Sequence, residues 1–167
     1  TVLTGSGNDY VVTDANDSIS TGDGDDRIDS GIDDDTILAG AGNDSVLAGD
    51  GNDLVDAGAD NDTVRGGTGN DSINGGTGND LVDAGDGNDT ILGGAGGDSI
   101  DGGAGDDLIL WHGGDGSDSI LGGIGNDTLL LDGWGGAYGT GTDGIANGTY
   151  GSWEVSGSGA DRILVNG

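Results

Sequence analysis

A branched aliphatic residue returns about every nine positions along most of this chain, and a polar, glycine-rich stretch separates each from the next. The series is Val11, Ile19, Ile28, Ile37, Val46, Val55, Val64, Ile73, Val82, Ile91, Ile100, Ile109, Ile120 and Leu129. All but Leu129 are Ile or Val, which are stiff at χ1 and favour extended backbone. Two residues ahead of each stands an aspartate: Asp9, Asp17, Asp26, Asp35, Asp44, Asp53, Asp62, Asp71, Asp80, Asp89, Asp98, Asp107, Asp118 and Asp127. A short fixed period of this kind means one structural unit stacked on copies of itself.

Let the aspartate be position 6 of a nine-residue unit and the aliphatic residue position 8. Glycine fills positions 2 and 4 in the pairs Gly40/Gly42, Gly49/Gly51, Gly67/Gly69, Gly76/Gly78, Gly85/Gly87, Gly94/Gly96 and Gly103/Gly105; Gly58 holds position 2 of its own unit. Position 5 is mostly Asn. Gly and Asn tolerate positive φ, so positions 1–6 read as a tight turn and positions 7–9 as a three-residue strand. Side chains alternate faces in a strand, so position 8 points inward and its polar neighbours outward.

Turn–strand–turn–strand brings the chain back to its start after two units, or 18 residues. Such coils stack about 4.8 Å apart as parallel ladders. Val46, Val64, Val82 and Ile100 fall in one column, and Val55, Ile73, Ile91 and Ile109 in the facing one. The predicted fold class is all-β: a right-handed parallel β-roll of about seven 18-residue coils over Thr4–Leu130, with a C-terminal β cap. At that spacing the rod is roughly 30–35 Å long. Its core is expected to be one aliphatic layer thick.

Composition changes the picture next. The formal charge is −29, and every one of the 32 acids but Glu154 is aspartate. Short carboxylates at turns hold an oxygen close to the backbone. Arg27, Arg65 and Arg162 cannot balance them, which excludes nucleic acid and anionic membrane as partners. No apolar run is long enough to span a bilayer. With no cysteine, disulfides and thiolate metal sites are excluded, while the redox compartment stays open. The chain lacks an initiator Met and starts within the pattern, as a fragment or processed form would.

A thin core cannot offset the ordering of 42 glycines. Stacking also sets like charges one strand spacing apart. Positive charge is therefore expected between the turns. Carboxylate and exposed carbonyl oxygens, without usable His or Cys, call for a hard divalent cation. Calcium, which takes six to eight oxygens with loose geometry, suits them better than magnesium. Seven turns on each edge leave six gaps, hence up to about 12 interior Ca²⁺ sites.

The units Gly66–Asn74 and Gly75–Asp83 match G-G-x-G-N-D-x-U-x throughout, U being aliphatic. They resemble the RTX (repeats-in-toxin) hemolysin-type calcium-binding nonapeptide repeats, and the resemblance covers Thr4–Leu130. It implies calcium held between a turn and the next turn on the same edge. Gly67, Gly69 and Asp71 would face Ala84, Asp86 and Asp89; on the other edge, Gly76, Gly78 and Asp80 would face Gly93, Ala95 and Asp98. It also implies a bacterial protein secreted in one step that folds in a calcium-rich exterior.

Some units depart from the pattern. The stretch Thr13–Asp17 lacks both glycines and is one residue short, and position 4 is Asp33 in one unit and Asp60 in another. Trp111-His112 opens a longer gap before Asp118, where a bulge and an imperfect or missing site are expected. Residues 131–167 leave the repeat and carry Trp134, Tyr138, Tyr150 and Trp153; they read as a cap over the last coil.

No nucleophile–base pair stands apart from the repeat, so no enzyme is expected. His112 lacks marked partners, the EF-hand-like Asp23-Gly-Asp25 lacks a following bidentate Glu, and the G-x-G fragments lack a phosphate-binding Lys. The Asn-x-Ser/Thr triplets follow from the repeat itself, and no threonine array forms to bind ice. The expected protein is a secreted or cell-surface calcium-binding module. Its alternatives are an appendage of a hydrolase, or a self-associating surface-layer, adhesin or matrix component.

Overall fold

The computed structural model describes residues 1–112, 116–132 and 162–165, and its regular elements are all strands. They are β1 (Val2–Ser6), β2 (Tyr10–Val12), β3 (Ser18–Asp23), β4 (Arg27–Asp29), β5 (Thr36–Ala41), β6 (Ser45–Asp50), β7 (Leu54–Ala59) and β8 (Thr63–Thr68). Then come β9 (Ser72–Thr77), β10 (Leu81–Asp86), β11 (Thr90–Ala95), β12 (Ser99–Ala104), β13 (Leu108–His112), β14 (Ser119–Leu121), β15 (Thr128–Asp132) and β16 (Arg162–Val165).

Strands alternate between two parallel sheets. One runs β1-β3-β5-β7-β9-β11-β13-β15-β16 and the other β2-β4-β6-β8-β10-β12-β14. Two consecutive strands with their turns make one coil, giving a parallel β-solenoid of about seven coils, the β-roll that the period predicts. Register follows the aliphatic columns: Val46 pairs with Val64, Val64 with Val82 and Val82 with Ile100, while Val55, Ile73, Ile91 and Ile109 stack in the other sheet.

The strands are longer than the sequence suggests. From β5 to β12 each spans six residues, positions 7 to 3 of the next unit. Position 2 lies inside the strand at positive φ, as at Gly67 (φ 119) and Gly85 (φ 109). Glycine there reads as a turn but serves as a twist within a ladder, since Gly67 and Gly85 are register partners. Position 1 therefore points inward beside position 8. The core gains a second row of small residues, including Thr21, Ser30, Ala39, Ala48, Ala57 and Ala84, all fully buried. It is two rows wide on each sheet.

Leu108–His112 pairs with Thr128–Asp132 in unbroken register, and Trp111 enters the core at position 1 with 5% exposure. The expected bulge falls on 113–115, outside the described residues. Most of the expected cap, including its four aromatics, also lies outside them. Within them, Arg162–Val165 pairs in parallel with Thr128–Leu131. Among the described residues no helix is long and apolar enough to cross a membrane.

Candidate metal centre

The turns of the two sheets form two edges along the rod, and every position-6 aspartate sits on one of them. A single hydrogen bond recurs up both edges. The amide of each position-6 aspartate from Asp9 to Asp107 donates to Oδ1 of the corresponding aspartate one coil later. On one edge the pairs are Asp9–Asp26, Asp26–Asp44, Asp44–Asp62, Asp62–Asp80, Asp80–Asp98 and Asp98–Asp118, at 2.7–2.9 Å. On the other they are Asp17–Asp35, Asp35–Asp53, Asp53–Asp71, Asp71–Asp89, Asp89–Asp107 and Asp107–Asp127, at 2.7–3.0 Å. The ladder crosses the Trp111-His112 insertion intact, lengthening its step from 18 to 20 residues.

Only one oxygen of each carboxylate is used in this way. Oδ2 of Asp26, Asp35, Asp44, Asp53, Asp62, Asp71, Asp80, Asp89 and Asp107 is buried without a hydrogen-bond partner. A buried carboxylate oxygen left unsatisfied is costly, and a whole series of them marks places built for a cation.

Backbone carbonyls turn toward the same gaps. In the gap between Asp71 and Asp89, the carbonyls of Gly67 and Gly69 point at the later coil, where a Cβ on Gly85 or Gly87 would strike them. The carbonyl of Ala84 points back, where a Cβ on Gly66 would strike both it and Oδ2 of Asp71. The carbonyl of Asp86 also points back and accepts from the Gly69 amide at 2.8 Å. The gap between Asp80 and Asp98 repeats this, with Gly76 and Gly78 facing Gly93 and Ala95. The expected glycines Gly40, Gly42, Gly49, Gly51, Gly58, Gly67, Gly69, Gly76, Gly78, Gly85, Gly87, Gly94, Gly96, Gly103 and Gly105 all take positive φ. Asp33 (φ 71) and Asp60 (φ 80) adopt the same backbone at position 4.

Burial, which penalises the charged form, raises these carboxyls, and neighbouring aspartates add to it. Asp62 is pushed up to about 7, and Asp44, Asp71 and Asp107 to about 6. Asp53, Asp80 and Asp89 are raised chiefly by burial as well. In each case the amide hydrogen bond from the preceding coil pulls the other way.

Outside the gaps, position-5 amides form their own ladders, such as Asn79 to Asn61 (Nδ2 to Oδ1, 3.0 Å) and Asn70 to Asn52 (3.2 Å). These follow the same 18-residue step as the aspartate ladder. Four position-1 hydroxyls were not anticipated from the sequence: those of Thr4, Thr13, Thr21 and Ser30, each bonded to a carbonyl of the next coil.

Among the described residues no three His, Cys, Asp or Glu side chains meet at one point. Each gap brings two aspartates, and its remaining oxygens are carbonyls. That donor set is all oxygen, anionic and loosely spaced, which fits calcium rather than a transition metal. Fold and edges together define a parallel β-roll of calcium-site type. The chain matches the RTX calcium-binding nonapeptide repeat (4 copies) over residues 3–37, 11–46, 30–64, 56–91, 83–110 and 112–129, and it belongs to that family. Binding of Ca²⁺ and a structural, repeat-built role come with the family, whose members are typically secreted by bacteria. No curated protein matches the chain.

Proposed function

We propose that this chain is a calcium-driven folding module of a secreted bacterial protein, unfolded where calcium is scarce and assembled after export. The observation that carries the reading is the series of buried Oδ2 atoms without partners. Calcium supplies the missing positive charge. The free energy of its binding is then folding free energy.

In this reading each ion lies between consecutive turns of one edge. It is held by the carbonyls of positions 2 and 4 and the aspartate of the earlier turn, with the carbonyls of positions 1 and 3 and the aspartate of the later one. Twelve aspartate pairs give up to about 12 ions. The residues of the roll orient oxygens and exclude water; they carry no reaction. Thr4–Leu130 form the calcium module and residues 131–167 its cap. Native mass spectrometry in calcium counts the ions: close to twelve supports the proposal, and none or one contradicts it.

A further inference from the structure

Position 1 of the unit grades the gaps along the rod. In the first four units it carries a hydroxyl, whose donor reaches the position-1 carbonyl of the next coil. Thr4 Oγ1 donates to the carbonyl of Thr21 at 2.9 Å and Thr13 Oγ1 to that of Ser30 at 3.1 Å. Thr21 Oγ1 donates to Ala39 at 2.8 Å, and Ser30 Oγ to Ala48 at 2.7 Å. Both Thr21 and Ser30 are 0% exposed. Beyond them position 1 is Ala39, Ala48, Ala57, Gly66, Gly75, Ala84, Gly93 and Gly102, none with a side-chain donor to give, before Trp111. The same class of carbonyl is bonded by the protein itself at the start of the rod and lacks any side-chain donor beneath it later.

We infer that the buried hydroxyls of Thr21 and Ser30 compete with calcium for the position-1 carbonyl at the Asp26–Asp44 and Asp35–Asp53 gaps, so that these gaps hold calcium more weakly than the gaps in the middle of the rod. This rests on the calcium reading of the gaps. An ion drawing on the carbonyl of Ala39 or Ala48 competes with the hydroxyl for that oxygen. It meets the positive end of an O–H dipole, and if it wins it strips a water-sealed hydroxyl of its acceptor. Where position 1 is Gly66 or Gly75, bare Cα leaves the carbonyl and Oδ2 of the unit's aspartate side by side, with nothing to displace. The rod thus has a hydroxyl-clamped start and a calcium-clamped middle.

The test titrates calcium into the full chain and follows each coil by hydrogen exchange. In the natural protein the Asp26–Asp44 and Asp35–Asp53 gaps should fill after the gaps whose position 1 is glycine, such as Asp71–Asp89 and Asp80–Asp98. Thr21→Val with Ser30→Ala should tighten calcium at those two gaps by about tenfold, the effect of one competing hydrogen bond. Should that double variant fail to fold, Ala57→Ser runs the test in reverse. It places a hydroxyl beneath the Gly75 carbonyl and should weaken the Asp62–Asp80 gap by about tenfold. Unchanged or weaker binding in the double variant, or an unchanged gap in Ala57→Ser, overturns the inference. A chain that takes up no calcium defeats the underlying reading; calcium uptake with equal gaps and silent variants defeats this one alone.

Discussion

The amide of Asp71 donates to Oδ1 of Asp89, one coil away, at 2.8 Å, and Oδ2 of the same Asp89 is buried without a partner. One carboxylate thus clamps the coil before it and offers an oxygen for a cation. The arrangement accounts for the use of aspartate at position 6, because the longer arm of glutamate would not hold both oxygens at the turn.

Each aspartate serves two gaps on one edge, so its loss should be local. Asp80→Asn is expected to weaken calcium at the Asp62–Asp80 and Asp80–Asp98 gaps by about tenfold to a hundredfold each, the scale of one charged contact. The facing edge should be spared. Residue-resolved calcium titration distinguishes this from uniform loss, which would mean the ladder is wrongly assigned.

Acidity should act in opposite directions with and without calcium. Burial holds Asp62 near 7, and Asp44, Asp71 and Asp107 near 6, all above the roughly 3.9 of an unfolded aspartate. A folded-state pKa above the unfolded one gives stability that is present below about pH 4 and lost as pH rises through 6–7. In chelator, strand content should therefore be higher at pH 5 than at pH 8. Calcium must displace those protons, so its midpoint concentration should rise as pH falls from 8 to 5, with protons released on binding near pH 6. Circular dichroism and pH-stat titration check both; a calcium midpoint independent of pH would contradict them.

Backbone handedness predicts a pair of opposite effects. Gly85→Ala places a Cβ against the Gly67 carbonyl at a φ of 109° and should cost about 1–3 kcal/mol. Asp60→Gly relieves a left-handed residue at φ 80° and should stabilise the loaded roll by about 1 kcal/mol. Thermal melts in saturating calcium read both signs.

The aliphatic columns should behave as a packed core despite their thinness. Ile91 is fully buried between register partners Ile73 and Ile109. Ile91→Ala is expected to cost about 2–5 kcal/mol, seen as a higher calcium requirement for folding.

The Ile/Val period was enough to place Val64 beneath Val82 and Ile73 beneath Ile91, because side-chain alternation leaves position 8 one way to face. Strand length was not legible, since a glycine such as Gly67 signals a turn in sequence but occupies the middle of a paired strand. That hid the second core row, including Ala39 and Ala57. The aspartates were plain from their spacing. The direction of each carboxylate was not, because it depends on an amide 18 residues away. The hydroxyls of Thr4, Thr13, Thr21 and Ser30 left a signal in the sequence, a run of Ser and Thr confined to position 1 of the first four units, but it carries meaning only once position 1 is known to face inward.

The most direct measurement is far-ultraviolet circular dichroism of the full chain at neutral pH, first in chelator and then through millimolar calcium. A cooperative, calcium-driven gain of strand signal from a largely unstructured chain is the expected result. Equal strand content in chelator and in calcium would contradict the claim that divalent ions assemble the roll.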